Sequence, residues 1–405
     1  MSRTVRSGEC RVTSTTLGEL GPEEFARWRD LEGRAIATYP QICVDYLEPA
    51  QRLRPGASEM RLLIVSRDDR WLLLLPFSLG FATDRGGARA ITTADETMDH
   101  ESAKLYPLID SAEGSGALAA ALAKARALGL PGVLRVVLVD DLPDLERAIL
   151  GGVGHRRSRC IDGAQVSRPV AASSGSHRPM PRAGEAFTPE YATSDTSSST
   201  RRKLGRLARR LSERVGELSV IVRDGDPAMV EDFLALQTAG WKGDPTRGGE
   251  GYDVTGRIAW FRAFTRRYHD RGDLYGIEFR GGDRVLYSTL VLRQGRVIHG
   301  LQDAYDEEFA EWSVGTLGRR AVLNVIRELD IDTFDPNMSW YNFEAARVYP
   351  QRRGQREYVL AGPGVSARAV VMGIRAARAA RVAKDRLRRG GTESAQPTGE
   401  GADEE

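Results

Sequence analysis

One stretch decides how this chain can fold. From Arg168 to Ser199, Ser, Thr, Pro and Gly dominate and hydrophobic periodicity disappears. About thirty residues with no buried face exceed what a compact domain accommodates as an internal loop, so the chain divides there. The expected organisation is an N-terminal lobe over 17–167, a flexible linker over 168–199 and a C-terminal lobe over 200–363. A basic helix over 364–391 and a disordered acidic tail over 392–405 follow. The 405 residues suit two domains of middling size.

The two halves repeat a pattern. In the first, residues 1–16 read as loose polar chain. Phe25, Trp28 and Leu31 recur at helical spacing behind Pro22. Met60–Ser66 and Trp71–Leu79 flank the Arg67–Arg70 turn as a hairpin. Leu118–Leu128 is a helix stopped by Gly129, and Val133–Val139 is a buried strand. The second half offers helices at 201–215, 227–239 and 258–270 and strands at 218–223, 274–279, 284–292 and 296–302. A helix at 316–329 and a strand at 331–335 complete it. The order helix, hairpin, helix, strand thus occurs twice, which predicts an α/β protein of two related lobes, each a mixed, mainly antiparallel sheet flanked by helices.

Composition excludes several function classes. A net charge of +2 leaves no general attraction for nucleic acid, so an electrostatic partner has to be met by a local patch. Cys10, Cys43 and Cys160 lie far apart with no CxxC pair, and the five histidines form no HExxH spacing. No disulfide scaffold and no dedicated metal site is expected. No apolar run approaches the roughly 20 residues of a membrane span, so the expected location is the cytoplasm. Two cationic runs stand out. Arg201 to Arg214 carries an apolar seam of Leu204, Leu207, Leu211 and Val215, so one side packs and the other is solvated. Residues 366–389 combine eight Arg and Lys with Val370, Val371 and Ile374; they suit either a solvated extension or a helix lying on the inner, anionic face of a membrane.

The segment Trp312-Ser313-Val314-Gly315-Thr316-Leu317-Gly318 follows a strand and opens a helix. A helix start presents free N–H groups and partial positive charge, which suits a pyrophosphate, and glycine permits close approach. The bland alternative is an N-capped helix with Arg319 and Arg320 solvated. In the preceding strand, Val297, His299, Leu301 and Asp303 share one face. His299 and Asp303, with Asp335 on a neighbouring strand, are candidate bases; each is equally at home as a hydrogen-bonded structural residue. Trp241 and Lys242, at a helix end before Gly243, either wall a substrate pocket or cap the helix.

These motifs, taken in order, resemble the GNAT acyltransferase superfamily, more narrowly the CelD-type (BioF2-like) acetyltransferase domain, a relative of the Fem aminoacyl transferases. The resemblance runs through Thr200–Leu204, Trp241-Lys242-Gly243, Gly272–Tyr275, then Asp306, Phe309, Ser313 and Gly315, and Phe334-Asp335. It departs at Val314, where the family has Pro, and at Tyr341-Asn342, where it has Tyr-Lys. Asn342, Ala345 and Tyr349 instead match the N-x-x-A-x-x-x-Y pattern of ordinary GNAT enzymes.

The resemblance implies acetyl-CoA or another acyl-CoA as co-substrate and direct transfer to an amine or hydroxyl of a small polar acceptor, such as a sugar or cell-envelope precursor. It implies that Gln302, Ser313, Val314, Gly315, Thr316, Leu317, Gly318, Arg319 and Asn342 hold the coenzyme and that Trp241 and Lys242 meet the acceptor. His299, Asp303 and Asp335 become candidate bases and Tyr349 the acid for the departing thiolate. Two alternatives accompany it: a Fem-like transferase taking its donor from aminoacyl-tRNA through the basic helix at 201–214, and a non-catalytic scaffold in an envelope or polysaccharide pathway.

Overall fold

The computed structural model describes residues 3–7, 9–99, 102–172, 198–325, 329–339, 341–342, 347–349 and 351–393. The first lobe begins with a hairpin, β1 (Arg3–Ser7) and β2 (Cys10–Thr16), where loose chain was expected. The segment is polar because the hairpin lies at the end of the sheet, and only Cys10 and Val12 of β2, with Thr15, point inward to full burial. Helices α1 (Pro22–Glu32) and α2 (Val44–Leu53) follow. α2 escaped the sequence reading because Pro49 sits inside it, a residue that usually ends a helix. The hairpin of β3 (Arg61–Arg67) and β4 (Arg70–Phe81) turns through Asp68 and Asp69, both left-handed as such a turn demands. Then come β5 (Arg89–Thr92), α3 (Glu96–Asp99), β6 (Leu108–Ile109), α4 (Gly114–Lys124), β7 (Val133–Asp140), α5 (Pro143–Gly151) and β8 (Cys160–Ala172).

The second lobe consists of α6 (Ser198–Val215), β9 (Leu218–Asp224), α7 (Met229–Ala239), α8 (Ile258–Asp270), β10 (Leu274–Gly281), β11 (Arg284–Gln294), β12 (Val297–Tyr305), α9 (Val314–Val325) and β13 (Thr333–Asp335). β14 (Gln351–Ala361) and a long helix, α10 (Val365–Glu393), close the described chain.

The lobes are tandem and alike, as the repeated pattern implied, but they do not own separate sheets. One sheet runs β1-β2-β3-β4-β5-β7-β14-β8-β13-β12-β11-β10-β9, with β6 paired to β4. β14 leaves the second lobe and inserts between β7 and β8 of the first, and β8 in turn pairs with β13 of the second. The linker expectation is corrected accordingly at its start: residues 168–172 are strand, and Arg168 is fully buried. Residues 173–197 and the tail over 394–405 lie outside the described residues.

A second weld joins α2 to α8. The Trp260 ring meets Tyr46 edge-on at 5.0 Å, and its Nε1 donates to the Tyr46 carbonyl at 3.0 Å. Phe264 packs on both rings. Each such aromatic contributes about 2–3 kcal/mol through burial alone, enough to fix how the lobes face each other. No described helix is long and apolar enough to cross a membrane.

Candidate active site

β12 is paired differently on its two edges. Toward β11, Leu301 and Gln302 stand opposite the single residue Leu290, a bulge that frees backbone groups and re-aims side chains. Toward β13, pairing is parallel and lasts three rungs, Val297 with Thr333, Ile298 with Phe334 and His299 with Asp335. Pro336, which has no N–H to give, and Asn337, at φ 53°, then turn the chain away. Among the described residues no strand pairs with β12 beyond this point on that edge. An extended amide chain can add there as a strand would.

The loop after β12 is braced before α9 begins. Asp306 accepts from the Glu308 amide at 3.1 Å and from Arg284 Nε at 2.8 Å, while the Arg284 guanidinium lies over the Phe309 ring. Ser313 takes the left-handed conformation, φ 57° and ψ 39°, and α9 starts directly after it. Val314 and Leu317 are fully buried and Gly318 sits under the Tyr287 ring, where a Cβ would collide. Val314 and Leu317 are thus closed off, backbone included, the Thr316 and Leu317 amides both donate to the Ser313 carbonyl at 2.9 and 3.0 Å, and Gly318 is required for packing. Gly315 is different: a Cβ there would come within 3.3 Å of Tyr305, with ordinary room beyond.

Asp303 is the centre of a charged cluster on the same strand. Arg319 Nε donates to its Oδ2 at 2.6 Å, and Lys242 Nζ lies 3.4 Å from Oδ1 and donates to the Asp303 carbonyl at 2.7 Å. The buried Tyr287 phenol reaches Oδ2 at 3.4 Å. Burial opposes ionisation of Asp303, but Arg319 and Lys242 overcome it and hold the carboxyl well below the ordinary range. Arg319 is thus the counter-ion of Asp303, not the solvated arginine of the bland alternative. Trp241 is partly buried beside Lys242, its amide donating to Glu307 Oε1 at 2.7 Å. Gln302 accepts from Gln237 Nε2 at 2.6 Å, and Gln237 in turn accepts from the Tyr252 amide. Tyr349 is buried against Phe334 at 5.4 Å, and burial pushes its phenol upward. The Asn342 amide donates to the Ser339 carbonyl at 3.0 Å.

His299 and Asp335 fall apart from that cluster. Both are buried in the seam between lobes. Lys104 of the first lobe reaches across, its Nζ 2.9 Å from His299 Nδ1 and 2.7 Å from Asp335 Oδ2. Arg168 makes a two-pronged pair with Asp335 and continues to Asp140, which also accepts from Gln355 Nε2 at 3.0 Å. Burial first, then Lys104, drives the His299 imidazole far down, so it is neutral; Arg168 and Lys104 hold Asp335 ionised against its burial. So the structure brings Gln302, Asp303, Arg319, Trp241 and Lys242 together and sets His299 and Asp335 in a second, closed cluster. Lys104, Arg168 and Gln237 were missed. A lysine inside the apolar run Ala103–Ile109 was the available signal, because an unpaired charge does not stay in such a run.

Between the lobes opens a cleft of about 870 Å³ whose lining includes Arg54, Ser78, Asp95, Thr255, Arg257 and Gln302. Gln302 of the bulge therefore looks both along β12 and into this cleft. Among the described residues no group of three or more His, Cys, Asp or Glu is placed to hold a metal.

Residues 198–343 match the family model described as acetyltransferase (GNAT) domain. This part of the chain is a GNAT acetyltransferase domain. Its matched stretch runs from the first turn of α6 to just beyond β13, which contains the bulge, the loop and α9. No curated protein matches the chain. Solved structures similar to this chain include a conserved protein of unknown function from Bacteroides thetaiotaomicron (10% identity, 83% of this chain and 97% of that one, TM-score 0.49). FemX is similar over 83% and 96% (11% identity, TM-score 0.44), and a tandem GNAT protein from the clavulanic acid biosynthesis pathway over 88% and 100% (15% identity, TM-score 0.39).

Proposed function

We propose that the protein is an acyl-CoA-dependent acyltransferase that binds its donor in the second lobe and its acceptor in the cleft between lobes. The observation that carries this is the unpaired edge of β12 beyond the His299 rung, next to the first turn of α9, inside the matched GNAT domain. The pantetheine amides would extend β12 along that edge. The pyrophosphate would lie against the partly exposed backbone of Gly315 in the first turn of α9, where the helix dipole favours it and no side chain intervenes.

Transfer is direct. The acceptor's amine or hydroxyl enters from the inter-lobe cleft past Gln302 and attacks the thioester carbonyl. Its oxygen gains negative charge, which backbone N–H groups freed at the bulge stabilise. Holding both reactants in one cleft supplies most of the rate. The depressed carboxyl of Asp303 is a weak base, so its role is to fix Lys242 and Arg319 at the mouth of the site. Tyr349 is the acid assigned to the departing thiolate; burial makes its phenol a weak donor, so the proton it gives is replaced by the one the acceptor loses, and the C–S bond broken leaves free CoA thiol as the acyl–acceptor bond forms. The acceptor class is a small polar molecule, such as a sugar or envelope precursor, matching a cleft lined by hydroxyl, carboxylate and guanidinium groups.

Calorimetry with acetyl-CoA tests the donor site. One site per chain with micromolar affinity is expected, and no binding would sink the proposal. Binding of tRNA in place of acetyl-CoA, weakening steeply with salt, would move the donor to aminoacyl-tRNA.

A further inference from the structure

We infer that Lys104, a residue of the first lobe, sets the width of the opening through which the donor thioester enters the second; it is a positioning residue, and the inference rests on the coenzyme reading above. The opening starts where β12 and β13 part, and the last rung before it is His299 with Asp335. Lys104 holds both side chains of that one rung, at 2.9 and 2.7 Å, and is itself 1% exposed. The segment carrying it is gripped on two more points. The Ala103 amide donates to Asn337 Oδ1 at 2.9 Å, on the turn that takes the chain away from β12, and the Ala103 carbonyl accepts from Gln355 Nε2 at 2.7 Å. The Asn337 amide in turn donates to Asp335 Oδ1 at 2.9 Å. Residues 103 and 104 therefore touch the rung, the turn and the inserted strand β14.

The charges explain why this contact fixes a distance. Lys104 and Arg168 face Asp335 and Asp140, with Arg353 3.5 Å from Asp140 at the edge of the cluster. His299 is neutral, so Lys104 donates to Nδ1 and the ring proton sits on Nε2. A buried ammonium deprived of its acceptors is strongly unfavourable, whereas apolar side chains in the same volume would pack without direction. Movement of β13 relative to β12 cannot keep both Lys104 hydrogen bonds, one to each strand, so the mouth of the opening is held at one setting by the neighbouring lobe.

The test uses the full chain and CoA as probe. Lys104→Met keeps the volume and removes the ammonium. Its Kd for CoA is expected to weaken about tenfold or more, the usual consequence of a displaced binding element. Leu145→Ala, a core substitution in α5 of the same lobe, is the control: it lowers Tm but leaves Kd unchanged. Equal CoA affinity in Lys104→Met and the unsubstituted protein overturns the inference while the coenzyme site stands; absence of CoA binding in the unsubstituted protein overturns the coenzyme site and the inference with it. If Lys104→Met does not fold, Lys104→Met combined with Asp335→Asn removes one charge of each sign and is measured in the same way. A readout needing no variant is the His299 ring nitrogen spectrum: a fixed setting predicts the Nε2–H tautomer bonded at Nδ1 both without and with saturating CoA, and loss of the Nδ1 hydrogen bond on CoA binding counts against Lys104 as the gauge of the opening.

Discussion

The two lobes answer one geometric problem in opposite ways. Each has a parallel strand pair bridged by a helix, β5 with β7 over α4 in the first and β12 with β13 over α9 in the second. In the second, no strand among the described residues pairs with the edge of β12 beyond the pair, and α9 starts directly after Ser313. In the first, the chain fills its own opening. β6 adds to β4, Leu105 bridges to Val137, and Asp110 lies at the start of α4. Its Oδ1 accepts from the Ala112 and Glu113 amides at 2.9 and 3.1 Å, and its Oδ2 pairs with Arg34 and Arg70. A carboxylate thus stands where a helix start would otherwise attract a ligand's phosphate. The lesson is that a repeated fold need not repeat an open helix start: in the first lobe, which supports the second through β8 and β14, an internal carboxylate occupies that place.

The sharpest break in that comparison is a glycine exchange. Gly315→Trp is expected to weaken CoA binding by at least about a hundredfold with little change in Tm, because the ring fills the space before α9. Gly114→Val, at the equivalent start of α4, is expected to do the reverse, since its Cβ collides with Ile109. Calorimetry and thermal melts on both variants decide it; retained CoA binding by Gly315→Trp would mean that the lobes do not differ in this way.

A smaller effect is expected at Asp110. Asp110→Asn leaves Arg34 and Arg70 facing a neutral group and should cost about 3 kcal/mol in urea unfolding, with CoA affinity and a stoichiometry of one unchanged. A second coenzyme site in this variant would show that Asp110 alone suppresses binding in the first lobe.

The smallest effect concerns Glu32, which ends α1 of the supporting lobe. Burial pushes its carboxyl up to about 7, against the help of the Val44 amide, which donates to Oε1 at 2.6 Å. The folded protein therefore holds this proton where the unfolded chain has lost it. Its contribution is present below about pH 4 and is lost as pH rises toward 7. Glu32→Gln should raise stability by about 1–2 kcal/mol at pH 8 and by almost nothing near pH 4, measured by urea unfolding at the two values. A pH-independent difference would assign Glu32 a partner that keeps it ionised.

Much of this fold is legible in the residues. The hairpin at 61–81, the stop at Gly129 that ends the tight turn Ala125–Leu128 after α4, the second-lobe helices and the β10–β12 meander follow from period and turn chemistry, because each is settled by neighbours in sequence. β14 was missed because its residues 351–357 are charged or polar in a strand whose partners lie some 200 residues away. The site divides in the same manner. Gly315 and Asp303 stand on a helix start and a strand that local pattern exposes. The packing of Gly318 under Tyr287 and the union of Lys104 with His299 depend on pairings that only the folded chain makes.

The insertion of β14 between β7 and β8 also dictates an order of assembly. Until residues 351–361 have left the ribosome, the strands that will flank them each lack a neighbour, and both bare edges invite pairing with other chains. The amino-terminal lobe, though made first, can only be completed last, so a ribosome that stops short of β14 releases a product prone to clump rather than a smaller working protein.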